Sequence, residues 1–191
     1  MSERNLIVSN LDACWSSIVE FLQGVDGSDG QTQSLCPEWT VKGVAAHLVS
    51  VEQVLSGWMP TTADTPPPFE KVADYFAAAM TMPEDELVAH MQATFDVRRQ
   101  NLAETSDEDF ALPSVTPVGP ATYGRFMAVR EFDFWMHERD CRAPLQAHTD
   151  NGIGAELNTI FKRLWYRKPR CFGNTTEINR TCKISDNITS N

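Results

Sequence analysis

Apolar residues recur at steps of three and four over the first two dozen positions, which is the spacing of one face of an α-helix. The segment GVDGSDGQ, with its three glycines, ends this pattern. The pattern therefore predicts a first helix over residues 3–24, followed by a loop. Its apolar positions are Leu6, Ile7, Leu11, Cys14, Trp15, Ile18, Val19 and Leu22.

The remainder of the chain repeats this helical periodicity, and no alternation of apolar and polar residues typical of a strand is sustained. Thr40 is a suitable N-cap for the second helix. The stretch SDEDFALPSVTPVGP is predicted as a loop. The pattern predicts an all-α fold, a bundle of four main helices with no sheet of consequence. The further predicted helices run from about Thr40 to Trp58, Phe69 to Met80, Pro83 to Glu104, Ala121 to Leu145 and Glu156 to Trp165.

Charge and composition narrow the class of protein. The net charge is −10, which argues against a nucleic-acid surface, because such surfaces neutralise phosphates with Lys and Arg. No apolar run approaches the roughly 18 residues of a membrane span. The N-terminus lacks the apolar core of a signal peptide, and five cysteines without a CxxC motif fit reduced thiols. We therefore expect a cytoplasmic protein with no membrane or nucleic-acid partner.

The end of the chain differs in character from the rest. Residues 1–161 contain 9 Lys and Arg against 24 Asp and Glu, whereas residues 162–191 contain 7 against 2. We expect one helical domain over residues 1–165 and a basic tail over 166–191. A disordered terminus, a shifted reading frame and a truncation all fit the tail's composition.

Three residues on two predicted helices are candidate metal ligands. Asp133 and His137 are four residues apart, so they share one face of the last helix. His47 lies beside the apolar stripe of the second helix. Two imidazoles and a carboxylate form a three-ligand set that leaves coordination positions open for water or substrate. Alone, His47 is more often a core residue than a ligand. The spacing of Asp133 and His137 favours a metal and a simple Asp–His hydrogen bond equally.

Neighbouring polar residues give weaker signals. Glu131 is six residues before His137 and is expected to point away from the ligand face. Asp140 shares that face, where it either accepts the second ring N–H of His137 or, the favoured alternative, pairs with Arg139 or Arg142 at the surface. Cys141 is expected to be a small buried apolar residue rather than a thiolate beside the site. His90 and His148 are expected to be exposed, and no residue is assigned as catalytic.

Two segments carry a family resemblance. CPEWTVKGVAAHLVSVE, with His47, and REFDFWMHERDCR, with Asp133 and His137, resemble the corresponding helices of the mycothiol-dependent maleylpyruvate isomerase family. The resemblance covers roughly residues 5–160. It implies a DinB-like four-helix bundle with a divalent metal, usually zinc, held by His47, Asp133 and His137.

The chain also departs from the family pattern at three points. Asp133 stands where the family usually has Glu, and Gly43 where it usually has an acidic residue. The isomerase itself has a small α/β domain after the bundle, whereas this chain has the tail.

The resemblance implies a metal-dependent enzyme that uses a low-molecular-weight thiol such as mycothiol. Its expected chemistry is isomerisation or thiol transfer on a small electrophile, without a named substrate. The alternative is a non-catalytic metal-binding bundle with a stress-linked or regulatory role. A homodimer is compatible with either function.

Overall fold

A computed structural model describes residues 2–62, 64–117 and 119–148 of the chain, and within these ranges the protein is mostly helical. No helix there combines the length and apolar character that crossing a membrane requires. The predicted helix over Glu156–Trp165 and the boundary at residue 166 lie outside the described residues. The helices are α1 Glu3–Gln23, α2 Gly27–Gly30, α3 Val41–Leu55, a 3₁₀ helix Phe69–Lys71, α4 Val72–Thr81, α5 Glu84–Ala103, α6 Asp107–Phe110 and α7 Tyr123–Arg142; the strands are β1 Pro113–Thr116 and β2 Gly119–Thr122.

The four long helices α1, α3, α5 and α7 enclose the core. Each buries an apolar stripe, since burial removes that face from water. In α1 this stripe holds the predicted apolar positions except Leu6, which is exposed. Trp15 of α1 stacks on Phe95 of α5, with ring centroids 5.5 Å apart, and both rings meet Phe134 of α7 edge to face. These aromatic contacts join three helices at the centre of the molecule.

The start of α3 follows the prediction from sequence. The side-chain oxygen of Thr40 accepts a hydrogen bond from the backbone N–H of Gly43, which confirms Thr40 as the N-cap. This cap sets the first turn of α3 and therefore the position of His47 two turns later.

The predicted loop after α5 contains regular structure. A capping box forms between Ser106 and Asp109, where each side chain accepts a hydrogen bond from the backbone of the other, and it opens α6. Strands β1 and β2 then pair antiparallel, with Thr116 opposite Gly119. Gly119 has φ +103°, a conformation that favours glycine at the turn. The prediction that this stretch is loop was wrong, because strands of four residues are too short to show alternation. The fold is mostly helical with a small two-stranded sheet.

Candidate metal site

The three predicted ligands converge between α3 and α7. His47 Nε2 lies 3.9 Å from Asp133 Oδ2, and His137 Nε2 lies 3.6 Å from Asp133 Oδ1. One ligand atom from each residue falls within 4.8 Å of the other two. The two imidazole rings meet edge to face, with centroids 5.2 Å apart. Helical spacing places Asp133 and His137 one turn apart, and packing of α3 against α7 supplies the third residue.

His47 is held between an aromatic ring and the other ligands. The Trp39 indole stacks on its imidazole, with centroids 4.6 Å apart and an interplanar angle of 25°. Burial lowers the pKa of His47 to about 4, against the opposing attraction of Asp133. The imidazole is therefore neutral at neutral pH, which is the form that binds a metal. Its side chain remains 21% exposed, so the site has an opening to solvent.

Asp133 is an ionised carboxylate with one oxygen already engaged. Arg130, one turn earlier on α7, donates from Nη1 to Asp133 Oδ2 at 2.5 Å. Burial alone would raise the pKa of Asp133, but the charge and hydrogen bond of Arg130, with smaller contributions from the histidines, outweigh it and hold that pKa below its usual value. Asp133 Oδ1 faces His137 Nε2, so one oxygen remains toward the ligand cluster.

His137 is buried and is hydrogen-bonded on the side away from Asp133. Its Nδ1 lies 3.0 Å from Asp140 Oδ2. Burial alone would lower the pKa of His137, but the hydrogen bond with Asp140 and the charges of Asp133 and Asp140 raise it. Asp140 therefore takes the role that the sequence ranked second, and Arg142 pairs instead with Glu138.

A buried charge network behind the ligands was missed by the sequence analysis. Glu52 of α3 is only 1% exposed. Its two carboxylate oxygens accept hydrogen bonds from Arg98 Nε at 2.8 Å and from Arg130 Nε at 3.0 Å. Arg130 thus bridges Glu52 and Asp133. The sequence does contain a signal for this network, because Glu52 is four residues after Leu48 on the buried stripe of α3.

The remaining candidates lie mostly away from the trio. Glu131 points toward α1, where Asn10 donates to it at 2.7 Å, and burial raises its pKa to about 7. Cys141 is fully buried and burial raises its pKa, so it is a neutral thiol. His148 is exposed as predicted, whereas His90 is half-buried, so the prediction that it is exposed was wrong.

Cys36 is a further residue that the sequence analysis did not place at the site. Its Sγ donates to Asp140 Oδ2 at 3.2 Å and lies 3.6 Å from His137 Nδ1. It precedes Pro37 in the loop before α3, and nothing in its local sequence indicates a contact with α7.

The residues fit a divalent cation. Two imidazole nitrogens and one ionised carboxylate oxygen are the donor types that zinc takes in three-ligand sites. Nδ1 of His137 is occupied by Asp140, so Nε2 is the nitrogen that faces the other ligands. Arg130 neutralises part of the carboxylate charge but leaves Oδ1 of Asp133 toward the cluster.

Comparison with known proteins places this chain in one family. The family model described as mycothiol maleylpyruvate isomerase N-terminal domain matches residues 11–142. Because that match covers most of the sequence, the chain belongs to this family. A search of curated proteins with the sequence finds no match.

Two solved structures share the fold. The crystal structure of the mycothiol-dependent maleylpyruvate isomerase superposes with a TM-score of 0.65 at 19% identity. A histidine-to-alanine mutant of that enzyme gives a TM-score of 0.61 at 20% identity. In both comparisons 81% of this chain is covered, and the chain spans 65% of the length of the solved chain.

Proposed function

We propose that this protein is a metal-dependent isomerase or transferase that uses a low-molecular-weight thiol of the mycothiol type and acts on small electrophiles. The observation that carries the proposal is the convergence of His47, Asp133 and His137 within 4.8 Å in a chain of this family. In this proposal the four long helices form a DinB-like bundle around the metal.

The metal is a divalent cation, with zinc the expected ion, held by His47, Asp133 and His137. When bound, such an ion supplies one chemistry, which is to hold a thiol as thiolate at neutral pH, ready to add to an electrophilic carbon. Release of the thiol after bond rotation would give isomerisation, and its retention would give transfer.

The protein's own residues prepare the site for this chemistry. Burial keeps His47 neutral, and Asp140 holds the Nδ1 side of His137. Arg130 fixes one oxygen of Asp133 and lowers the charge of the cluster. The partial exposure of His47 and Asp133, 21% and 24%, leaves an approach for a thiol and a substrate.

One observation favours a second function, a non-catalytic bundle with a stress-linked or regulatory role. Arg130 already pairs with Asp133, so the carboxylate has a charge partner in the protein alone. A protein with this role binds a metal, or none, without turning over an electrophile.

Metal content and thiol chemistry separate these functions. Protein purified without chelator should contain close to one zinc per chain by elemental analysis, and His47→Ala should contain almost none. His148→Ala, which alters an exposed histidine away from the site, should retain the zinc of the wild type. Zinc-loaded protein should then react with at least one of a panel of electrophiles in the presence of mycothiol. Transfer would consume mycothiol, and isomerisation would convert a cis-alkene without consuming it. Metal binding without turnover of any electrophile would favour the second function. Absence of metal would contradict the metal-dependent enzyme and leave only the metal-free form of the second function. Light scattering on the same sample tests for a homodimer.

A further inference from the structure

Cys36 and Asp140 form a hydrogen-bonded pair on the Nδ1 side of His137. We propose that Cys36 and Asp140 are positioning residues that keep the hydrogen of the His137 ring on Nδ1 and so present the Nε2 lone pair to Asp133 and His47. This inference rests on the proposed metal-dependent function, and it extends the site into the loop before α3.

Two donors meet on one carboxylate oxygen. His137 Nδ1 is 3.0 Å and Cys36 Sγ is 3.2 Å from Asp140 Oδ2. Asp140 Oδ2 can accept both hydrogen bonds, so the thiol helps to hold this oxygen where it meets the ring N–H. A carboxylate that accepts from Nδ1 fixes the tautomer and the ring plane of a metal-binding histidine. The ligand nitrogen is then Nε2, which is the one that faces Asp133.

The loop holds the thiol in place. The backbone N–H of Cys36 donates to Ser34 Oγ at 3.1 Å, and its carbonyl accepts from Gln33 Nε2 at 2.8 Å. The backbone N–H of Leu35 donates to the carbonyl of Asp140 at 3.0 Å, which fastens the loop to α7. Cys36 is 4% exposed, so solvent does not compete for its hydrogen bond. The loop therefore delivers a buried donor to Asp140 at a fixed position.

The geometry argues against a nucleophilic role for Cys36. In a catalytic triad, the nucleophile and the carboxylate occupy opposite nitrogens of the histidine ring. Here the thiol and the Asp140 carboxylate approach the same nitrogen, Nδ1. In the proposed tautomer Nδ1 carries the hydrogen and the lone pair is on Nε2, which faces Asp133, so no nitrogen lone pair of His137 lies beside the thiol to accept its proton.

A rival arrangement uses the same atoms differently. Cys36, His137 Nδ1 and Asp140 also lie close enough together to ligate a cation. In that arrangement Cys36 would be a thiolate ligand and His137 would turn its Nδ1 lone pair to the metal. The two arrangements predict opposite positions for the ring hydrogen, and this makes them separable.

Zinc affinity, measured by competition with a chromophoric chelator, tests the positioning role. Asp140→Asn should weaken zinc binding about 10- to 100-fold, the usual effect of losing such a partner, although all three ligands remain. Cys36→Ala should weaken it less, and Cys36→Ser should restore it because the hydroxyl can donate to Asp140. Cys14→Ala, which alters another buried thiol, should leave the affinity unchanged. Unchanged affinity in Asp140→Asn would overturn the proposal.

The tautomer gives a readout that does not depend on metal. Nitrogen-15 spectra of the metal-free full chain at mildly alkaline pH should show the His137 hydrogen on Nδ1 in the wild type and in Cys36→Ser. In Asp140→Asn the population should shift toward the Nε2–H form. A wild-type Nε2–H form would overturn the positioning role. So would a thiolate charge-transfer band in the cobalt-substituted protein. If the wild type binds no zinc while the tautomer is as expected, the proposed function fails and the positioning of His137 stands.

Discussion

At the scale of single residues, two carboxylates show how strongly burial changes the contribution of an ion pair to stability. Glu52 pairs with Arg98 inside the protein, where it is 1% exposed. Asp12 pairs with Arg99, the next residue of α5, where its side chain is 53% exposed. Removing one partner of a buried pair leaves an uncompensated charge in a poorly solvated place. An exposed pair is solvated and screened, so its loss costs little.

We therefore expect Glu52→Ala to lower the free energy of unfolding by about 3–5 kcal/mol, because it leaves the buried Arg98 without its carboxylate partner and Arg130 paired with Asp133 alone. Asp12→Ala, the matched control, should lower it by no more than about 1 kcal/mol. Urea denaturation followed by circular dichroism measures both. Equal effects for the two variants would show that water or another group compensates Arg98 and Arg130 when Glu52 is absent.

At the scale of elements, the first turn of α3 shows a local rule overridden by a contact. Glycine in the first turn of a helix costs about 1 kcal/mol relative to alanine. A Cβ at Gly43 would lie 3.0 Å from the Trp39 Cβ, a tighter approach than side chains normally make. Trp39 in turn stacks on His47. The glycine therefore lets the indole approach α3 and reach the His47 ring.

Gly43→Ala should therefore not raise the free energy of unfolding by the roughly 1 kcal/mol expected from helix propensity alone. It should also change the tryptophan fluorescence, because Trp39 moves. Gly24→Ala is the control, because a Cβ there would meet only the Phe21 carbonyl at an ordinary 3.5 Å. Thermal unfolding of both variants provides the measurement. If Gly43→Ala instead raises the free energy of unfolding by about 1 kcal/mol, Trp39 can move aside without an energetic penalty.

The elements also show which information the sequence carries. Helices α1, α3, α5 and α7 were predicted because a long apolar stripe repeats its signal several times. Two short helices, α2 and α6, and the β1–β2 hairpin were missed because each element has four residues, too few to show a hydrophobic periodicity. The convergence of His47, Asp133 and His137 could be predicted from spacing and family resemblance, and their role as ligands stays a prediction. The contacts of Glu52, Arg98 and Cys36 were missed because their partners lie on other elements. The position of Glu52 on the buried stripe of α3 signals a buried charge but not its partners.

At the scale of the whole molecule, the candidate site links parts of the chain that are distant in sequence. His47 belongs to α3, whereas Asp133 and His137 belong to α7. The loop before α3 is fastened to α7 by the hydrogen bond from Leu35 to Asp140. Unfolding separates α3 from α7 and so destroys the ligand set. A metal held there would bind the folded state more tightly than the unfolded chain, which no longer brings His47 to the other two residues.

Zinc should accordingly stabilise the whole fold by mass action. At free zinc 100 times the dissociation constant, the free energy of unfolding should rise by about 2.7 kcal/mol, with a matching rise in the thermal midpoint. His47→Ala should fold but show almost no such rise, because Asp133 and His137 alone form a weak two-ligand site. His148→Ala should respond to zinc like the wild type. Chelator should reverse the rise in stability in the wild type and in His148→Ala. Calorimetric scans across a zinc titration measure this linkage. A midpoint that zinc raises equally in His47→Ala would place the stabilising ion elsewhere in the chain and contradict the assignment of the site between α3 and α7.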